Sequence, residues 1–421
     1  MAGTGLTRQE LLAAGAGACA ALFLPGCGSG GEADELTFWN GFTGGDAPAM
    51  LSIIDAFEKE HPDTRVRMVS VRWEDYYQKV PAAIVAGKGP DVGIMHVDQI
   101  SMSAAHGVLR PLDDVAAGLS LQEADFAPEV WQSGVYHGKR YGIPLDVHPL
   151  GLFWNKTVLS DAGLDPDRPP TDREAYEAAL EELKGKGVQG NWVPPFVFTG
   201  GFMFLSLLWQ FGGDMTNEDG TKATWNSDAG VEAMEYLRGM IQKGYSPPNV
   251  AQDADNIAFK GGQSAFIWQG AWGIGDYGST EGLEWGLGPL PQIGDERAAW
   301  SNSHQFVIPE ATSEAKREVA RTFIDFVTNS PSWAESGMVP ARKSARESEA
   351  FRKLPASALA EEIDYVRFPR PVAGLPDVRE STLDIAIQQG LSGRQPVRQA
   401  LDESAKRADE LLTDNFEKFA A

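Results

Sequence analysis

Cysteine is almost missing from this sequence: Cys19 and Cys27 are the only two in 421 residues, and both sit near the N-terminus. That excludes a disulfide framework and any multi-cysteine metal site. Positive charge is also scarce. Lys and Arg number 36 against 59 Asp and Glu, a net charge of −23, which repels phosphate backbones and anionic headgroups. No nucleic-acid partner and no direct electrostatic attachment to a membrane are expected. The six histidines, His61, His96, His106, His137, His148 and His304, contain no i,i+4 pair, so a zincin helix is excluded and no metal centre is expected. Each Gly-Lys pair, at Lys88, Lys139 and Lys186, is followed by Gly or Arg, so there is no P-loop. G-x-S-x-G is absent, which removes the nucleophile elbow of α/β-hydrolases. Gly273-Ile274-Gly275-Asp276-Tyr277-Gly278 fits G-x-G-x-x-G, but Ser279 to Gly282 follow where an apolar helix should begin. No cofactor is expected.

No hydrophobic run reaches the roughly 20 residues of a membrane-spanning helix. The longest, residues 11–25, fits a secretory signal instead. It ends in Leu24-Pro25-Gly26-Cys27 and a small, polar stretch, Gly28-Ser29-Gly30-Gly31-Glu32, which resembles a bacterial lipobox. That resemblance implies a signal peptide over 1–26 and a lipidated Cys27 opening a tether over 27–35. Thr7-Arg8-Gln9-Glu10-Leu11-Leu12 is similar to a twin-arginine signal with one Arg, so the export route stays open.

What is present is ordinary globular composition, 43% hydrophobic and 23% charged, long enough for two lobes. Leu36 to Trp39 alternates like a strand, Gly44-Gly45-Asp46-Ala47-Pro48 reads as a turn and helix start, and Met50, Leu51, Ile54 and Phe57 follow at helical spacing. Val66 to Trp73 reads as a second strand, Ala82 to Ala86 lies in a short helix, and Pro90 to Met95 reads as a third strand. This β-α-β-α-β order predicts an α/β fold with mostly parallel sheets flanked by helices. Ligands of such sheets bind beyond the carboxyl ends of the strands, where Trp39, Asn40 and Asp98 stand. Tyr141 to His148 looks like a crossing into a second lobe, and residues 298–307 read as one strand returning to the first. The expected N-terminal lobe is 36–143 with 300–340, and the C-terminal lobe 144–299 with 341–421.

Tryptophan is the most informative residue type, at 12 copies. Trp39-Asn40, Trp73-Glu74-Asp75, Trp209-Gln210, Trp268-Gln269, Trp272 and Trp300-Ser301-Asn302 place indoles beside short polar groups. Sugars need that mixture, because a pyranose packs its C–H face on a ring while its hydroxyls require buried donors and acceptors.

Thr37 to Asp46, Gly87 to Val92, Tyr141 to Asp146, Phe266 to Trp272, Gly288-Pro289-Leu290-Pro291 and Val339-Pro340-Ala341-Arg342 resemble, in order, landmarks of the extracellular solute-binding proteins of bacterial ABC sugar importers, the class that includes maltose-binding proteins. The resemblance implies a two-lobed periplasmic-binding fold of type II with hinge strands, a ligand cleft between the lobes, closure on the ligand and delivery to membrane permease subunits. It implies a monomer that binds without catalysis, exported and held to the outer face of the cell membrane by its lipid. On this reading Trp39, Asn40, Asp46, Asp98, Asp146, His148, Trp209, Trp272, Trp300, Ser301, His304 and Arg342 are the candidate ligand contacts. Trp272, at the family's Gly-x-Trp position, is the expected stacking platform. Asp46 fits a helix N-cap equally well, His148 a satisfied structural histidine, and Trp209 a core residue. Trp225, Trp285 and Trp333 read as structural. Two other functions fit the same residues: a binding protein for a non-sugar solute such as a polyamine or metal chelate, and a secreted glycoside hydrolase, since a carboxylate pair is available among so many acids.

Overall fold

The computed structural model describes residues 35–419. The expected signal peptide and Cys27 lie outside the described residues. The strands are β1 (Glu35–Asn40), β2 (Arg65–Ser70), β3 (Val92–His96), β4 (Val135–Tyr136), β5 (Lys139–Arg140), β6 (Ile143–Pro144), β7 (Asp146–Asn155), β8 (Gln189–Asn191), β9 (Ser264–Gly270), β10 (Trp285–Gly288), β11 (Ala299–Asn302), β12 (His304–Val307), β13 (Val339–Pro340) and β14 (Val366–Arg367). They form two main sheets, one ordered β2-β1-β3-β12-β6 and the other β14-β11-β7-β9-β8, with β10 and β13 also paired to β7; β4 and β5 make a separate hairpin. Among the described residues no helix is long and apolar enough to cross a membrane.

The sheets are mixed rather than mostly parallel. β1 runs parallel to β2 and β3, as the β-α-β-α-β order requires, but β12 is antiparallel to β3 and β6. In the second sheet β7 takes four antiparallel neighbours, β9, β10, β11 and β13. The reason is the crossings: chain segments that pass between sheets re-enter against the local direction. Between β6 and β7 the change of sheet takes one residue, Leu145, and between β11 and β12 it takes Ser303. Residues 298–307 are therefore two strands, one in each sheet. Asn302 fixes the break, because its Oδ1 accepts from Ser303 N at 2.9 Å and from Val97 N at 3.1 Å.

Two helices frame the N-terminal sheet. α1 (Asp46–Glu60) buries Met50, Ile53, Ile54 and Phe57, while Leu51 points outward at 49% exposure. Ile53, on the face opposite Leu51, is buried in its place, and Phe57 meets Phe323 and Phe326 of helix Glu314–Asn329 at 5.2 and 5.4 Å. Each such fully buried aliphatic or aromatic side chain stabilises by about 1.5–3 kcal/mol. α2 (Trp73–Val85) is longer than the sequence suggests and contains Pro81. The second strand stops at Ser70, and Trp73 opens the helix with Glu74 and Asp75 in its first turn, where acidic groups suit the helix dipole. Trp73 lies on the backbone of Gly41, where a Cβ would stand 2.0 Å from the indole, so glycine is required there.

The C-terminal sheet is packed by helix Phe202–Gln210, all nine residues of which are buried, and by helices Asp228–Gln242 and Val397–Phe419. Trp225 and Trp268 are fully buried, with Nε1 donating to Ser404 Oγ at 2.9 Å and Tyr176 Oη at 3.1 Å.

Glu362 is buried beside β10, and among the described residues only Leu290 N, at 2.9 Å, donates to its carboxylate. Burial pushes its carboxyl up to about 8, against the lowering by the Leu290 N–H and Arg297. Between about pH 4.5 and 8 the folded protein keeps a proton that the unfolded chain releases, so stability falls as pH rises, by about 1.4 kcal/mol per unit. Glu362→Gln removes that dependence. Thermal melts should show the variant above the parent at pH 8, with the gap closing toward pH 5; parallel pH profiles would assign the proton elsewhere.

Candidate functional site

Strand register gathers the polar groups at the crossings. β12 pairs with β3 so that His304 lies opposite His96, and β11 pairs with β7 so that Asn302 lies opposite His148. β13 places Pro340 opposite Asp146. Residues distant in sequence thus meet where both sheets begin or end.

Asp146 is the hub of this junction. It is 0% exposed, and its carboxylate accepts four N–H groups: His304 N at 2.9 Å, His304 Nδ1 at 2.7 Å, His148 Nδ1 at 3.2 Å and Trp333 Nε1 at 2.8 Å. Burial alone would raise its carboxyl, but the charge and N–H groups of His304 and His148 hold it well below the usual carboxylate range. Its backbone carbonyl accepts from Ser303 Oγ at 2.6 Å.

Around the hub the rings form one cluster. His148 and His304 have centroids 4.6 Å apart, His96 and His304 4.9 Å, and His96 and His148 5.6 Å. Trp73 stacks on His304 at 5.5 Å and 15°, and Phe42 meets the same imidazole edge-on. The His96 Nδ1 and the Tyr77 hydroxyl are 2.6 Å apart. Burial depresses His96, helped by the neighbouring His304 and His148, and burial depresses His148 against the pull of Asp146. Asp46 faces the cluster from the start of α1. Burial raises its carboxyl while His304 opposes the rise. It is the first residue of the helix rather than its cap, with Oδ1 accepting from Gly44 N and Ala47 N, both at 2.9 Å.

Trp272 extends the aromatic wall toward the second sheet. Its ring folds back over Gly270, where a Cβ would stand 2.0 Å away, and meets His148 at 5.9 Å and Trp300 at 6.2 Å. Trp300 stacks on Phe202 at 3.6 Å, and Ser301 is buried with its hydroxyl on the Asn302 carbonyl. Several polar atoms near the strand ends have no partner among the described residues: Trp39 Nε1, Asn40 Nδ2, Asp98 Oδ1 and Trp300 Nε1. Burial raises the Asp98 carboxyl against the nearby Arg379.

A cavity of about 640 Å³ opens between residues 129–138 on one side and 209–214 with 367–371 on the other. Trp209 lines it, donating to Asp214 Oδ1 at 3.2 Å, and Arg370 pairs with the same Asp214 at 2.9 Å. Arg342 lies apart from these groups, turned to Asn329 and Asp325 of helix Glu314–Asn329.

The fold therefore unites Asp46, Asp146, His148, Trp272 and His304, and sets Trp209 and Arg342 elsewhere. The candidate set from sequence left out His96 and Tyr77, named Trp73 only in the indole pattern, and read Trp333 as structural, with which its 1% exposure and bond to Asp146 agree. His96 had a usable signal, since it ends β3 by the same rule that selected Trp39, Asn40 and Asp98. Trp333 had none, because its link to Asp146 spans 187 residues.

Residues 52–359 match the family described as bacterial extracellular solute-binding protein. A galactooligosaccharide-binding protein of Bacillus subtilis (strain 168) is 26% identical, across 93% of this chain and 94% of its own. An sn-glycerol-3-phosphate-binding periplasmic protein of Escherichia coli (strain K12) is 25% identical, across 94% and 97%. Among solved structures, a cyclic alpha-maltosyl-1,6-maltose binding protein from Arthrobacter globiformis superposes with a TM-score of 0.78 at 25% identity, covering 90% of this chain and 99% of its own. The sugar-binding protein MalE from Xanthomonas citri, at 22% identity, gives 0.80 over 92% and 99%, a likeness of fold alone. Two sheets exchanging single-residue crossings, with an aromatic and polar cluster at the exchange, make up the two-lobed fold of such proteins, and the chain belongs to the bacterial extracellular solute-binding proteins.

Proposed function

We propose that the protein captures a mono- or oligosaccharide in the cleft between its lobes and hands it to the permease of an ABC importer. The lobes divide at the crossings, Leu145 and Ser303, so Pro144 goes with the N-terminal lobe, and 300–302 and 339–340, expected there from the sequence, go with the C-terminal one. The observation that carries this reading is the set of unpartnered buried polar atoms, Trp39 Nε1, Asn40 Nδ2, Asp98 Oδ1 and Trp300 Nε1, together with the partly exposed ring of Trp272, 6.2 Å from that of Trp300. A buried donor or acceptor left unmade costs about 1–3 kcal/mol, which sugar hydroxyls would recover on binding. Asp46, His148 and His304 supply further hydroxyl partners. Asp146 and Ser301 act by positioning, because both are buried and engaged.

The relatives divide between oligosaccharides and a glycerol phosphate. The aromatic set favours the sugar, since a pyranose face packs on an indole, and of the cations near the cavity Arg370 is already paired with Asp214 while Arg379 sits 3.5 Å from Asp384. Closure follows from differential affinity, since a ligand touching both lobes stabilises only the closed arrangement. The protein binds without catalysis, is exported, and is held at the membrane by lipid on Cys27. The anchor is checked by the mass of the mature N-terminus, where an unmodified cysteine would exclude it.

Thermal melting of the mature chain with millimolar glucose, maltose, maltotriose, a galactooligosaccharide and sn-glycerol 3-phosphate tests the function. A sugar at about 100 times its dissociation constant should add about 2.7 kcal/mol, with the sugar recovered intact. A shift from glycerol phosphate alone would overturn the sugar reading, as would no shift at all, and release of reducing ends would reassign the protein as a hydrolase.

A further inference from the structure

The three imidazoles at the crossing carry an arrangement that hydroxyl recognition does not require. One ring nitrogen from each of His96, His148 and His304 lies within 4.8 Å of one from each of the other two. In every ring Nδ1 is already engaged, in His148 and His304 with Asp146 and in His96 with the Tyr77 hydroxyl. Nε2 makes no hydrogen bond in any of the three among the described residues. We propose that His96, His148 and His304 bind one divalent transition-metal ion, with Asp146 and Tyr77 as positioning residues.

Chemistry selects the ion. Three imidazoles with no ligating carboxylate suit Zn²⁺, Cu²⁺ or Ni²⁺ and disfavour Mg²⁺ and Ca²⁺, which want oxygen. A carboxylate holding Nδ1–H of two ligands is the usual outer shell of a metal-binding histidine, because it sets the tautomer and leaves the Nε2 lone pair for the ion. Three protein ligands leave a fourth position open. With zinc–nitrogen bonds of about 2.0–2.1 Å in a tetrahedron, the ligating nitrogens stand roughly 3.3 Å apart, so the rings must draw together by up to about 1.5 Å on binding. The topology adds a consequence: His96 and His304 stand on the first sheet and His148 on the second, so a bound ion ties the two sheets together where the chain crosses between them.

The inference gives an ion the Nε2 atoms of His148 and His304, read above as hydroxyl partners, and its test uses no sugar. The mature chain, free of any polyhistidine tag, is stripped with EDTA, dialysed, and titrated with ZnCl₂ by calorimetry. A parallel sample receives CoCl₂ and its visible spectrum is recorded. One zinc per chain with submicromolar affinity is expected, together with visible bands of tetrahedral cobalt. His96→Gln should weaken zinc at least 100-fold, and Tyr77→Phe about 10–100-fold, as losses of outer-shell partners do. No uptake at 100 µM zinc would overturn the site. So would stoichiometric uptake that His96→Gln and His148→Gln both leave unchanged. Should the variants fail to fold, the parent protein decides alone, since bound cobalt without tetrahedral bands refutes the three-histidine centre.

Discussion

Asp146→Ala should leave the chain unable to hold its native fold at 37 °C, or lower its melting midpoint more than any other single substitution in the cleft. The carboxylate is fully buried and receives four N–H groups from three separate segments: β7, β12 and the turn carrying Trp333. Alanine removes all four bonds at once and leaves the donors buried without partners. Breaking a buried, hydrogen-bonded charge pair costs about 3–5 kcal/mol, and the orphaned Trp333 and backbone N–H groups add to it. A domain's whole stability is about 5–15 kcal/mol. Asp146→Asn should fall between, because the amide keeps one acceptor but turns an NH₂ group toward donors. Circular-dichroism melts of the three proteins at pH 7 check this. An alanine variant melting within about 1 kcal/mol of the parent would mean that the crossings are held by backbone pairing alone.

That hub also explains which parts of the protein were legible in its sequence. Local patterns carried the elements: alternation from Leu36 to Trp39 is β1, helical spacing from Met50 to Phe57 is α1, and the apolar face of Ala320, Phe323, Ile324 and Val327 is helix Glu314–Asn329. Pro81 hid the true length of α2, because a proline inside a helix reads as its boundary until the packing of Tyr76 and Val80 outweighs the lost hydrogen bond. The antiparallel returns were invisible, since no local pattern distinguishes a strand that continues from one that changes sheet at Ser303. The site divides the same way. Asp146, His148 and His304 were readable as polar groups next to a crossing. Tyr77, Trp73 and Trp333 join them only through tertiary packing, a long-range property that residue spacing does not encode, while His96 joins through its register opposite His304. Spacing within one helix likewise says nothing about imidazoles on separate strands, where His96, His148 and His304 stand.

Trp272→Ala should weaken binding of the most stabilising sugar by about 10–100-fold while leaving the fold intact, the reverse of the Asp146 result. Trp272 is half-buried, packs against both hydrophobic cores and presents its remaining face beside His148 and Trp300. A ring that stacks on a pyranose contributes about 1.5–3 kcal/mol through buried apolar area, which is roughly that range of affinity. Its loss from the free protein costs less, because one face already contacts water. Trp268, two strand positions before Gly270 and fully buried, is the contrasting control. Trp268→Ala should cost about 3–5 kcal/mol of stability by opening a cavity under Tyr176. Trp272→Phe should recover most of the affinity, since stacking needs a flat apolar face and not the indole N–H. Calorimetric titration beside a melt separates the two effects. Unchanged affinity with an unchanged melt would take Trp272 out of the cleft, whereas lost affinity with an unchanged melt would make it the platform on which the sugar rests.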